Sequence, residues 1–320
     1  MREALSSLAE KIRKDQSALH ESTRRIREER PELIAGTEMV GISLDVCAVD
    51  GGLLAYRLHG HDVVAVRSVA VDFVYGDSTL RSFDYHPSRS PPISLFVESA
   101  LDEHEANVFR SLIRLKSELS CALEAVERFS PKLMLMDGSL WTVPSDRPGR
   151  GSALGPLYGE VMGLYKKLFG ECEREGVLLC GVIKDSRSRK LASSLGFSCS
   201  DTVLCSHMLE KGERIKAFPY FDEKQKEPEG YAERLMVSYI KPSEHDLPLR
   251  IEFLSMGDDE QQVASLISSL SSISESFAYP AVLIEADMRA VMDRAEGERL
   301  QADLRTLEMR PLRRNSRPFR

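Results

Sequence analysis

The sequence is short of nearly every feature that would declare a function outright. Its 320 residues include one tryptophan and six cysteines. No two of Cys47, Cys121, Cys172, Cys180, Cys199 and Cys205 form a C-x-x-C pair, and no histidine stands at zinc-finger spacing. A zinc ribbon and a disulfide scaffold are thereby excluded. Buried thiols in a reducing compartment are the plain reading, so a cytoplasmic protein is expected. No apolar run is longer than about eight residues (Gly176 to Ile183), against the ~20 that cross a bilayer. The first residues, MREALSSLAEKIRKDQ, are charged throughout and do not read as a signal peptide. Basic charge is also in deficit: 43 Lys and Arg against 50 Asp and Glu give a net charge of −7. A nonspecific coat for nucleic acid is excluded, and any nucleic-acid site must be a local basic patch on an acidic body.

With 42% apolar and 29% charged residues, the composition is that of a soluble globular protein. Residues 1–35 read as a helical arm, with Leu5, Leu8, Ile12, Leu19 and Ile26 at roughly helical spacing among charges. Strands are expected over 40–49, 53–58 and 63–75, with Asp50-Gly51-Gly52 as the turn between the first two and antiparallel hairpins joining them. Residues 76–97 read as a loop. A helix with a 3.6-residue apolar stripe (Val108, Leu112, Leu115, Leu119, Leu123, Val126) is expected over 102–129. Buried strands over 132–136 and 177–183 flank a helix over 156–175, and a short helix spans 188–195. Three further strands, near 215–221, 234–239 and 249–253, precede helices over 260–273 and 280–295. One domain with additions is expected: the arm, a body over 36–300 and a tail over 301–320, which has five arginines from Met309 onward.

Three apolar strands end in charge, at Asp50, Asp137 and Lys184-Asp185. Groups beyond strand ends are where α/β sheets place their chemistry. Glycine after Asp50 and after Asp137 lets the backbone turn sharply or lets a ligand come close. Asp-Gly after a strand is also an ordinary turn, and either motif alone leaves that reading open. Two carboxylates at adjacent strand ends repel unless a cation lies between them. Oxygen donors without a His-Cys cluster point to Mg²⁺ or Mn²⁺. On the 102–129 helix, Glu118 has apolar neighbours and could face the sheet; a solvated Glu118, or Glu124 in its place, is the alternative. Lys184, Arg187, Arg189 and Lys190 form a basic cluster that could hold backbone phosphates or simply open a solvated helix. Trp141 could stack a base or pack in the core.

Taken in order, VDGG at Asp50, a Glu-bearing helix, LMLMDGSL at Asp137, GVIKDSRSRKLA over 181–192, SDTVLCSHML over 200–209 and YPAVLIEAD over 279–287 resemble the NurA nuclease family, over roughly residues 35–300. The resemblance implies an α/β, ribonuclease H-like core: a mixed five-stranded sheet flanked by helices, with antiparallel first strands, an N-terminal helix and additional C-terminal strands and helices. It implies a Mn²⁺- or Mg²⁺-dependent deoxyribonuclease, a 5′–3′ exonuclease or an endonuclease, acting in DNA end resection. It further implies two ions per site, a homodimer enclosing DNA, and a HerA-type hexameric helicase as partner. Asp50 matches the family's first metal-binding aspartate, Asp137 the aspartate of its DGS motif and Glu118 its helical glutamate. Tyr279 matches a tyrosine of the late motif. Eight residues later the family usually carries a metal-binding histidine; this chain has Asp287. The metal set expected from the resemblance is Asp50, Glu118, Asp137 and Asp287, with Lys184 beside it. DNA contacts are expected from Lys184, Arg187, Arg189, Lys190, Tyr279 and Trp141. Two other readings remain: a catalytically weakened clamp serving a translocase, and a phosphohydrolase for small phosphoesters.

Overall fold

A computed structural model describes residues 2–99, 101–222 and 227–306. From residue 307 onward, the basic tail lies outside the described residues. In chain order the first elements are α1 (Arg2–Glu29), β1 (Ile34–Gly36), β2 (Asp45–Arg57), β3 (His61–Gly76), β4 (Thr79–His86) and β5 (Ser94–Ser99). Next come α2 (Glu103–Phe129), β6 (Leu133–Asp137), α3 (Gly155–Glu175), β7 (Leu178–Ile183), α4 (Lys190–Ser194) and α5 (Asp201–Met208). The chain continues through β8 (Glu213–Pro219), β9 (Leu235–Lys241), β10 (Leu249–Leu254), α6 (Glu260–Leu270), α7 (Ala281–Ala290) and α8 (Arg294–Thr306). Packing divides it into two compact units, Met1–Ile42 with Gly181–Ala281, and Ser43–Cys180 with Val282–Arg320.

The second unit is built on a mixed sheet. β2 runs antiparallel to β3, from Asp45 opposite Val74 to Arg57 opposite Asp62, and parallel to β6, from Val46 opposite Leu133 to Val49 opposite Met136. The far edge of β3 is shared by β4 and β5, both antiparallel. This is the expected mixed sheet with antiparallel first strands and flanking helices. β3 is buried without a break from Asp62 to Phe73, as a β-branched strand covered on both faces should be. Across β2 and β3 lies α2. Its N-cap is Asp102, whose carboxylate accepts from the Glu105 N–H at 2.8 Å, and Ser130 closes it in the left-handed conformation. The stripe that α2 buries includes Val108, Leu112, Leu119, Ala122 and Val126, and Glu118 lies within it.

In the other unit, β8, β9 and β10 form an antiparallel sheet extended by β1 on β8. A buried polar chain runs through it: Arg250 donates to the Tyr239 hydroxyl, which donates to Asp201, which accepts from the Ala192 N–H. α1 is tied to this unit near its C-terminal end, where Arg27 pairs with Glu213 and donates to the Met208 carbonyl. None of the six cysteines is in a disulfide among the described residues; Cys199 is half-buried and the other five are buried. Burial pushes Cys121 and Cys172 up to about 12, so they act as core residues.

Four expectations are corrected. The Asp50-Gly51-Gly52 segment is not a turn: β2 runs straight through it, and the hairpin lies at residues 58–60, where Gly60 has a φ of 102°. Residues 76–97 are not a loop but contain β4 and most of β5, whose largely exposed side chains give no apolar alternation. The helix expected over 280–295 is two helices, because Asp293 and Glu296 form a reciprocal capping box that starts α8 afresh. Finally, α5 was not expected; Ser200 caps it by accepting from the Val203 N–H.

Candidate metal centre

The register sets the first pair of acids. Val49 lies opposite Met136 on the parallel strands, so the next residues along, Asp50 and Asp137, stand side by side where β6 ends. Asp50 is 7% exposed and its Oδ1 accepts from the Gly51 N–H at 2.7 Å. Burial pushes its carboxyl up to about 8, helped by the charges of Asp137 and Glu118 and, more weakly, of Asp287. Glu118 is 4% exposed and lies against the strand at Gly51. Burial and Asp137 push it up to about 7, against the opposing charge of Arg114, whose Nη1 donates to Glu118 Oε1 at 3.1 Å. In turn Arg114 is held more firmly protonated by Glu118, Asp50 and Asp137.

The alternatives left open by the sequence now separate. Glu124 points away from these acids, bonded to His86 at 2.7 Å and 62% exposed. Glu285 accepts from the Tyr85 hydroxyl and from Arg289, both at 2.7 Å, so its carboxylate is committed. Asp287 is exposed on α7, and its charge is felt at Asp50. The sequence reading missed Arg114, although its place one helical turn before Glu118 was a visible signal.

Among the described residues, no three His, Cys, Asp or Glu side chains stand as a finished metal cage. The chemistry of the set nonetheless fits a hard divalent cation. Its donors are carboxylate oxygens alone, and two of them carry raised proton affinities that a cation would relieve. Closing the set requires Glu118 to exchange Arg114 for the ion. Beside it, a cavity of about 160 Å³ is lined by Arg114, Glu118, Asp137, Ser139, Trp141 and Asp146, among others.

Two of the residues expected to contact DNA, Trp141 and Tyr279, are buried. Trp141 is 5% exposed and packs on Tyr165 and Phe169, with ring centroids 5.3 and 6.2 Å away. Tyr279 is 1% exposed, and its hydroxyl donates to the Val182 carbonyl at 3.2 Å. Neither offers a face to a base. Lys190 is likewise committed: its Nζ donates to the Pro219 and Tyr220 carbonyls and pairs with Asp222, all at 3.0 Å. Lys184, in the same unit as Tyr279, holds its Nζ 4.1 Å from the centre of that ring. Arg187 and Arg189 are exposed.

The fold and the sequence both have relatives. The structure resembles the NurA nuclease from Sulfolobus solfataricus, with a TM-score of 0.64 at 18% identity, covering 96% of this chain and 98% of that one. It also resembles a NurA crystallised with manganese (TM-score 0.56, 13% identity, 93% and 98% covered) and one bound to dAMP and manganese (0.55, 12%, 93% and 97%). No curated protein matches the sequence. The model of the NurA domain matches residues 44–292, which contain Asp50, Glu118, Asp137, Asp287 and the basic residues 184–190, and the chain therefore belongs to the NurA family.

Proposed function

We propose that the chain is a Mn²⁺- or Mg²⁺-dependent nuclease that hydrolyses phosphodiester bonds in DNA, as a 5′–3′ exonuclease, an endonuclease or both. The observation that carries this reading is Asp50 standing beside Asp137, its proton affinity raised by burial first and then by three other carboxylates. The manganese and dAMP named for two similar structures support the same chemistry. Asp50, Glu118, Asp137 and Asp287 would hold the metal, with Asp50 at the centre of the set. A metal held by these residues would supply the charge to activate a water and steady the leaving oxygen, two ions being the proposed number. Arg114 opposes the effect of burial on Glu118 and so favours its carboxylate form. Arg187, Arg189 and Lys184 supply positive charge for backbone phosphates. The resemblance to the NurA family also supports, as part of this proposal, action in end resection, a homodimer enclosing DNA and a HerA-type hexameric helicase as partner. The exposed Leu5, Leu8 and Ile12 of α1 are the surface offered to that helicase.

The test is digestion of end-labelled DNA with Mn²⁺, with and without the helicase. Cleavage that requires the metal and is lost in Asp50→Asn supports the reading; cleavage that persists in excess chelator contradicts it. A weakened clamp is favoured by one observation, that Glu118 is bonded to Arg114 rather than to a neighbouring acid. A clamp would show no Mn²⁺-dependent rise in melting temperature.

A further inference from the structure

Two consecutive glycines inside a thirteen-residue strand contradict strand propensity, because glycine gives a sheet nothing to pack. Gly51 and Gly52 are absent from the positions with positive φ, so backbone freedom does not explain them. Space does. A Cβ on Gly51 would stand 2.6 Å from Glu118 Oε1 and 2.8 Å from Glu118 Cγ. A Cβ on Gly52 would stand 2.0 Å from the Ala290 carbonyl oxygen and 2.8 Å from its carbon. Successive strand residues open onto opposite faces. Gly51 therefore makes room for α2 on one face, and Gly52 for the end of α7 on the other. The peptide seated on Gly52 is tied to the acid above it, since the Val291 N–H donates to the Asp287 carbonyl at 2.9 Å.

We propose that Gly51 and Gly52 are positioning residues: each is the slot that lets one carboxylate-bearing helix close on β2 next to Asp50, Gly51 for Glu118 and Gly52 for Asp287. The obstacles differ in kind. An alanine at 51 meets a side chain that can swing aside, whereas an alanine at 52 meets backbone and must lift the end of α7. The motif at Asp50 thus encodes one acid and the spacing of two others. This inference rests on the metal-dependent reading above.

Calorimetric titration of Mn²⁺ into the full chain tests it without an activity assay. Wild type should bind Mn²⁺, and no binding would overturn the metal reading and this inference together. Gly52→Ala should weaken binding at least about tenfold, the usual effect of disturbing a group that orients a ligand. Gly52→Ala/Asp287→Ala should bind no more weakly than the weaker single variant, because both changes act through one carboxylate. Gly51→Ala should behave in the same way toward Glu118→Gln, and it decides the matter if Gly52→Ala does not fold. Glycine variants that melt at lower temperature but bind Mn²⁺ as wild type does, or whose effects add fully to those of the acids, would overturn the positioning role and leave the metal reading intact.

Discussion

At the residue scale, the acids differ in what they can exchange. Asp50 has no substitute near it, so Asp50→Asn should remove at least nine-tenths of cleavage while leaving the fold intact, as measured by initial rate on labelled DNA and by circular dichroism. Asp72 carries a different cost. It is 7% exposed, its Oδ1 has no hydrogen-bond partner among the described residues, and burial with Asp45 and Asp84 nearby pushes it up to about 6. Its folded value lies above its ordinary value near 4, so its protonated form stabilises the fold at low pH. That contribution is lost as pH rises from about 4 through about 6. Asp72→Asn should therefore raise the melting temperature at pH 7.5, by roughly 1–2 kcal/mol of stability, and have little effect at pH 4. Parallel melting curves for the two proteins across that range would refute the assignment.

At the element scale, α2 and the basic loop carry separate expectations. Asp102→Ala removes the N-cap of the helix that carries Glu118 and should cost about 1 kcal/mol in denaturant unfolding. In DNA binding, Arg187→Ala and Arg189→Ala should each lower the slope of log K against log salt by about one. Lys190→Met should not, because its charge is already spent on Pro219, Tyr220 and Asp222. These elements were legible to different degrees. α2 showed in the sequence to within a residue or two, because a long apolar stripe with a cap has few other readings. The Asp50 glycines were misread as a turn, since glycine serves turning and close approach alike and only the packing of Glu118 and Ala290 distinguishes them. β4 and β5 were illegible because exposed strands need no alternation. Trp141 and Tyr279 were read toward DNA because local sequence does not say whether an aromatic residue faces in or out. Arg114 and the capping box at Asp293 were visible at fixed spacings and were passed over.

At the scale of the whole molecule, the residues matched to the NurA domain include the four proposed ligands and the basic residues 184–190, and the resemblance sets Asp287 where the family's usual histidine is expected. As a ligand, its anionic oxygens would hold a hard ion electrostatically and disfavour softer metals. Asp287→Ala should raise the Mn²⁺ concentration needed for cleavage, and Asp287→His should restore it. α1 divides into a free part and an anchored part. Deleting residues 2–18 removes the exposed Leu5, Leu8 and Ile12 but spares Arg27, so it should weaken helicase binding without loss of nuclease activity. The central claim is that these carboxylates hold the ion that does the chemistry. It is tested most directly by a crystal structure of the chain soaked in Mn²⁺. The expected result is at least one ion with Asp50 and Asp137 oxygens within about 2.0–2.6 Å and Glu118 turned from Arg114 toward the metal. Manganese bound elsewhere, with Asp50 more than about 5 Å from every ion, would contradict it.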